Sequence, residues 1–239
     1  MTKSINYFLQ NLWKRSLLTF PKLPQLQVYT SKTLAFIRAW NYLSAAKIDG
    51  DYLEFGVYEG ASFDLSLRAA AKFFKNTSPS APRFFAFDSF KGLPDLDPQK
   101  DKKELFFKGE YSADQQKFMK NIRRAAKEWN IHIIPGFYES SLTSDIYQKF
   151  DLTSAAFVTI DCDLYTSTKE VLKFLAPIIK SGTLLFFDDW YSSGGDMTLG
   201  EAGACHEWLK QNPTLSLLDF GRVGVMGKLF IVNRASSES

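Results

Sequence analysis

From residue 51 onward, short runs of apolar, β-branched and aromatic residues alternate with longer stretches whose apolar positions recur every three or four residues. The runs predict strands over 52–55, 83–87, 132–134, 157–160 and 183–187. The longer stretches predict helices over 62–74, 113–129, 167–179 and, more briefly, 142–150. A helix over 199–211 precedes two last strands, 215–218 and 228–232, joined by the hairpin loop 221–227. Alternation of β and α implies a mostly parallel sheet, and the closing hairpin adds an antiparallel strand at or near an edge. Upstream, Ile5, Phe8, Leu9, Leu12, Trp13, Leu17 and Phe20 fall at helical spacing, and that helix ends before Pro21 and Pro24. A second helix over 31–46 carries Phe36, Ile37, Trp40 and Leu43 on one side, with Leu34 at the margin. The charged stretch 91–112 has no clear period, and at that length it reads as a lid or binding loop.

Composition fits one soluble α/β domain of 239 residues, and its 22 Phe predict a bulky core. The division is an N-terminal helical extension over 1–48, acting as lid or dimer contact, and a main domain over 49–239. Charge is uneven. Lys3, Lys14, Arg15, Lys22, Lys32, Arg38 and Lys47 face only Asp49 in the first fifty residues, whereas the rest is slightly acidic. That balance excludes a nucleic-acid stripe and disfavours a polyanionic substrate. The basic N-terminal helix suits a membrane surface, a cleft cover, its own domain or a second subunit, with packing on protein preferred over lipid. No stretch is long and apolar enough for a membrane span, and polar residues interrupt any signal-peptide core. Cys162 and Cys205 lack metal-site spacing and suggest no disulfide framework, so the expected compartment is the cytoplasm.

Two acidic clusters carry the candidate chemistry. Thr-Ile-Asp-Cys-Asp-Leu-Tyr at 159–165 and Phe-Phe-Asp-Asp-Trp at 186–190 each follow an apolar, β-prone run, with one helix between them. In a parallel sheet both strand ends face the same crevice. Singly, each Asp reads as a helix cap. Together, Asp161, Asp188 and Asp189 point to a hard cation held through oxygen, because uncompensated carboxylates repel and neither motif contains a Lys or Arg. The nearest basic residue along the chain is Lys169, expected to face away.

The first strand runs into Gly50-Asp-Tyr-Leu-Glu-Phe-Gly-Val-Tyr-Glu-Gly-Ala-Ser62, which sets Glu54, Gly56, Val57, Tyr58, Gly60 and Ser62 around a strand-to-helix turn. Glycines there let backbone approach a ligand, but the spacing is not G-x-G-x-x-G. Glu54 and Glu59 would repel a pyrophosphate and tolerate a sulfonium and an amino group, which favours S-adenosylmethionine over NAD. Asp88, ending the second strand, is placed either to bind ribose hydroxyls or to cap a turn. Phe137 and Tyr138, after the third strand, can wall an adenine or belong to the core.

These segments resemble one family. Gly50 to Ser62, Ala-Phe-Asp-Ser-Phe-Lys-Gly-Leu-Pro at 86–94, and the segments 135–142, 161–168 and 188–190 are similar, in order, to the macrocin/mycinamicin type of sugar O-methyltransferase. The resemblance implies a class I, Rossmann-like methyltransferase fold with a seven-stranded sheet, using S-adenosylmethionine and Mg2+ in natural-product tailoring. It places Glu54, Gly56, Ser62, Asp88 and Ser89 at the cofactor and Asp161, Asp188 and Asp189 at the metal. The expected reaction is methyl transfer to a hydroxyl of a sugar or other polyol. Asp161 is expected to act through the metal, and Glu110, Asp163 or metal-bound hydroxide to take the proton. The alternative is a non-catalytic domain that binds an adenosyl ligand, which would not need the metal triad. Three departures stand out. Glu59 replaces an expected basic residue, Trp190 a Tyr, and the segment Lys108-Gly-Glu-Tyr offers no histidine base. His132 and His206 read as structural or surface residues.

Overall fold

The computed structural model describes residues 23–75, 81–102 and 104–235, so the helix expected over 5–20 lies outside the described residues. The elements are α1 (Leu23–Ala46), β1 (Asp51–Phe55), α2 (Ala61–Ala70), β2 (Phe84–Asp88), α3 (Gln115–Ala126), β3 (Ile131–Pro135), α4 (Tyr138–Ser141), α5 (Asp145–Lys149), β4 (Ala155–Ile160), α6 (Tyr165–Leu175), β5 (Ile179–Phe187), α7 (Gly200–Gln211), β6 (Leu215–Val223) and β7 (Gly227–Arg234). Every expected strand is present. Helix α1 starts earlier than its apolar stripe suggests, because Pro24 sits in the first turn, where no backbone N–H partner is required. Helix α6 stops at Leu175 and β5 begins at Ile179. Between them and the straight part of β5, the Thr183 hydroxyl donates to Ala155 O at 2.7 Å and accepts Lys180 N–H at 3.1 Å. The 142–150 stretch forms the short helix α5 and a turn. The hairpin strands run further than expected, leaving only 224–226 as the tip.

One seven-stranded sheet has the order β3-β2-β1-β4-β5-β7-β6. The five strands β1 to β5 are parallel, and β7 inserts antiparallel between β5 and the edge strand β6. Strand period sorts the side chains into two cores. Leu53, Phe55, Phe87, Val158 and Leu185 face α6 and α7, through Leu172, Phe174, Cys205 and Trp208. Tyr52, Phe84, Phe157, Leu184 and Phe186 face α1, α2 and α3, through Phe36, Trp40, Phe63, Leu67 and Phe118. Phe36 meets Phe157 and Phe186 edge-on at 5.2 and 5.7 Å, a favoured aromatic geometry. Helix α1 is therefore part of the helical layer that covers the sheet. No helix among the described residues is long and apolar enough to cross a membrane.

Candidate active site

The parallel ladder continues one residue past each strand and sets the register of the site. Gly56 N–H donates to Phe87 O, Asp161 N–H to Phe55 O, Asp188 N–H to Ile160 O and Gly136 N–H to Asp88 O, at 2.9–3.0 Å. The chain thus leaves β1, β2, β4 and β5 along one edge, around a cavity of about 430 Å³. Its wall includes Gly56, Val57, Tyr58, Ser62, Asp88, Ser89, Phe137, Tyr138, Asp161, Asp188 and Asp189, which sequence reasoning had brought together.

One carboxylate oxygen each from Asp161, Asp163 and Asp189 lie within 4.8 Å of one another. Asp163 holds a left-handed backbone at φ 62° and is buried. Asp188, expected in this cluster, has its carboxylate on Lys32 instead, with Nζ 3.0 Å from Asp188 and 3.3 Å from Asp161. Contrary to the expectation from the two motifs, these aspartates do have a cation beside them. The compensating charge arrives from α1, far away in sequence, while Lys169 pairs with Glu207 at 2.8 Å. Burial opposes the Lys32 charge, but Asp161 and Asp188 outweigh it and raise its pKa above the ordinary lysine value. Burial first, then like charge, raises Asp161, Asp163 and Asp189 above the usual carboxylate range; the neighbours are Asp188 for Asp161 and Asp189, and Asp189 with Asp161 for Asp163.

Beneath the cluster, fully buried Glu201 at the start of α7 accepts Cys162 N–H at 3.2 Å and Asp189 N–H at 2.9 Å. One side chain thereby ties the β4 loop to the β5 loop. Sequence reasoning missed Glu201, whose only signal was a charged residue in an otherwise small, apolar helix start. The segment 91–112 docks through Asp101, which accepts Tyr165 N–H at the start of α6 at 2.7 Å, and through Lys102 Nζ, which donates to Ser193 O at 2.8 Å. Phe106 and Tyr111 from this segment line the cavity, in keeping with a covering loop. Glu110 does not reach it: its carboxylate accepts Phe107 N–H at 3.2 Å, within its own turn.

On the cofactor side, two residues expected at the ligand lie one layer below it. Glu54 is fully buried, accepting from the Ser62 and Tyr52 hydroxyls, and burial lifts its pKa to about 7 despite both bonds. Gly60 is the N-cap of α2 at φ 88°, and an added Cβ would lie 2.8 Å from the Phe118 ring, so α3 packing requires this glycine. Asp88 accepts Val57 and Tyr58 N–H at 2.8 Å and Phe90 N–H at 2.7 Å, so turn fixing uses three of its acceptor positions. Ser89 closes the next turn, donating to Gly92 O at 2.9 Å. Glu59 pairs with Lys117. Trp190 is buried against Phe187 and Phe230, a core position rather than a cavity one. His132 stacks on Phe85, and His206 lies beside Trp190.

The family model of macrocin O-methyltransferase (TylF) matches residues 28–201, from within α1 to the start of α7. The chain belongs to this family. A relative from Streptomyces olivaceus, 8-demethyl-8-(2,3-dimethoxy-alpha-L-rhamnosyl)-tetracenomycin-C 4'-O-methyltransferase, is 26% identical over 149 residues. That alignment covers 60% of this chain, and the chain spans about half (54%) of that relative's length. Among solved structures, the O-methyltransferase NovP superposes with a TM-score of 0.66 at 18% identity, covering 85% of this chain and 80% of that one. The calicheamicin methyltransferase CalS11 superposes with a TM-score of 0.66 at 16% identity, covering 91% of this chain and 89% of that one. Both likenesses establish the class I methyltransferase fold for the family member described here.

Proposed function

We propose that the protein is an S-adenosylmethionine-dependent O-methyltransferase acting on a hydroxyl of a sugar or other polyol, assisted by Mg2+. The observation that carries this reading is the cluster of Asp161, Asp163 and Asp189 at the parallel strand ends, beside a glycine turn that walls the same cavity. The rhamnosyl 4'-O acceptor in the Streptomyces olivaceus relative's name supports the sugar class. Family membership supports the cofactor, and a biosynthetic role in the cytoplasm accords with it.

The donor set fits a divalent cation, being all hard oxygen and strongly anionic. Asp161 and Asp189 would hold the ion, consistent with the habit of Mg2+ to take one or two carboxylates and keep other positions for water and substrate. When bound, it would lower the pKa of a substrate hydroxyl. Gly56, Val57 and Tyr58 present backbone to the cofactor, and Asp88 fixes that turn from below. Phe137 and Tyr138 bound the adenine end. Asp163, on the cavity wall beside Asp161 and Asp189, accepts the hydroxyl proton at a carboxylate oxygen. Alignment of acceptor oxygen, methyl carbon and sulfur supplies the proximity contribution.

The test is to incubate the protein with S-adenosylmethionine, Mg2+ and a panel of sugars and glycosides, and to look for the mass gain of one methyl group. Asp189→Asn should lower turnover by about a hundredfold or more, the scale seen when one transition-state stabilising group is removed. It should leave calorimetric binding of S-adenosylhomocysteine largely intact. Full turnover in excess EDTA would rule out the metal-assisted reading.

A further inference from the structure

Helix α3 and the residue that caps it carry Lys117, Lys120, Arg123, Arg124 and Lys127, with no acid between Asp114 and Glu128. Phe118 and Ile122 are its buried face, so helical spacing turns Lys120, Arg123, Arg124 and Lys127 outward. All four are exposed, and none meets a carboxylate among the described residues, whereas Lys117 pairs with Glu59. Lys120 and Lys127 each stand three or four residues from Arg123 and Arg124, so like charges adjoin along one face and destabilise the helix. The macrodipole offsets this for Arg123 and Arg124 in the last turn, but not for Lys120 in the middle. Beside the first turns of α3 lies an apolar rim. Phe107 is the most exposed large apolar side chain of the described residues, at 64%, and Leu105, Tyr111, Tyr58 and Met119 are exposed with it. The rim is continuous with the helix. The Tyr111 ring meets Tyr58 edge-on at 5.9 Å, and Glu59, next along, pairs with Lys117 and accepts Asn121 Nδ2–H at 2.8 Å. Tyr58 and Tyr111 hold left-handed backbones at φ 45° and 59°, an unfavourable conformation for a bulky residue. Gly109, in the same turn as Phe107, faces open space: an added Cβ would meet nothing within 4 Å.

We propose that this protein docks on an anionic lipid bilayer, with the outward face of α3 on the head groups and the aromatic tip at 105–111 in the interface, so that the cavity mouth turns toward the membrane. Long cationic side chains are drawn to anionic head groups without needing fixed partners, and aromatic residues beside them settle at the head-group level. Tyr58 and Tyr111 belong both to the rim and to the cavity wall, which brings the mouth to the same side. Charge decides against the chain's own N-terminal segment as the occupant, because Lys3, Lys14, Arg15 and Lys22 carry the same sign as α3. The slight acidic excess beyond the first fifty residues hides this patch, being a sum over every face. Docking of this kind needs no spanning helix, and none of the described helices is long and apolar enough to be one. Neither metal nor cofactor takes part, so docking is independent of the methyl-transfer reading.

The experiment is flotation of the full-length protein with vesicles of phosphatidylcholine, alone or with phosphatidylglycerol added. Wild type should float with the anionic vesicles at low salt, stay behind with phosphatidylcholine alone, and be released as salt rises, because salt screens exposed charges. The Lys120→Gln, Arg123→Gln, Arg124→Gln variant should lose about fivefold in partitioning per charge removed, about a hundredfold in all. It should melt within about 3 °C of wild type, since lost repulsion and lost dipole contact offset each other. Phe107→Ser should lose about tenfold, the scale of one aromatic side chain leaving an apolar environment. Lys120→Glu forms attractive pairs with Arg123 and Arg124, so it carries the test should the triple variant fail to fold. It changes the charge by two and should lose about 25-fold. No recruitment of wild type to anionic vesicles at low salt would overturn the proposal. Wild-type flotation of the triple variant, or of Lys120→Glu, would overturn it too, by placing the lipid contact elsewhere. Binding to soluble polyglutamate without flotation would replace the bilayer with an acidic protein partner.

Discussion

At the scale of single residues, two positions next to the crevice show how closely its backbone is specified. Gly56 has φ 85°, and a Cβ there would lie 1.8 Å from the carbonyl oxygen of Asp161. That contact cannot be relieved by a rotamer change, since the opposing atom is backbone. Gly56→Ala should therefore cost about 3 kcal/mol or more in denaturant unfolding and weaken Mn2+ binding by displacing Asp161. Gly195→Ala is the control: at φ 88° it meets nothing within 4 Å, so it should lose only about 1–2 kcal/mol of backbone strain. Glu54 makes a pH prediction. Burial raises its pKa from 4.5 to about 7, so the folded chain keeps a proton that the unfolded chain has released. Stability from this group is full below about 4.5 and is lost as pH rises through about 7, by about 3 kcal/mol at 1.36 kcal/mol per pH unit. Glu54→Gln removes that dependence. Its melting temperature should rise relative to wild type across this window, and a constant difference would mean that Glu54 does not titrate there.

At the scale of elements, the strands and their order along the chain were legible because each is a compact apolar run bounded by turn residues. The functional faces of the helices were less so. The stripe of Phe36, Trp40 and Leu43 was visible, but its extension to Lys32 was not weighed, because a lysine on an apolar stripe is more often a solvated end of a helix. Only the position of α1 over the β4 and β5 ends shows what it meets. Proximity to a glycine turn marks Glu54 and Gly60 as ligand contacts, yet it does not reveal which residues of the turn point into the layer below. Helix α7 hides a similar device. Glu201 accepts from Cys162 and Asp189, so both acidic loops are held at one spacing by a single carboxylate. Glu201→Gln leaves one amide oxygen for two donors and turns an N–H toward the other, which should cost about 1–3 kcal/mol of stability near neutral pH. Mn2+ affinity should fall with it if the spacing of the loops matters to the ion. An unchanged affinity alongside reduced stability would confine Glu201 to a folding role.

At the scale of the whole molecule, the order β1-β4-β5 places three strand ends side by side, which is why carboxylates distant in sequence share one cavity. The fold stores repulsion there, because burial and like charge raise Asp161, Asp163 and Asp189 together. Each of these groups therefore holds its proton more tightly in the folded chain than in the unfolded one. Their joint contribution to stability is full below the ordinary carboxylate range and is lost as pH rises through the raised values. In EDTA the melting temperature should accordingly decline from mildly acidic to mildly alkaline buffer. A divalent ion must displace those protons, so its own stabilisation should be small in acid and grow with pH. At a hundredfold excess over its Kd the ion contributes about 2.7 kcal/mol, or roughly 5–11 °C in a chain of this length. Paired melts with Mg2+ and with EDTA, taken from pH 5 to pH 8, should therefore diverge as pH rises, and Asp189→Asn should bring the two curves together. Parallel curves in the wild-type protein would mean that metal and protons do not compete for these oxygens, and would place any bound ion elsewhere on the molecule.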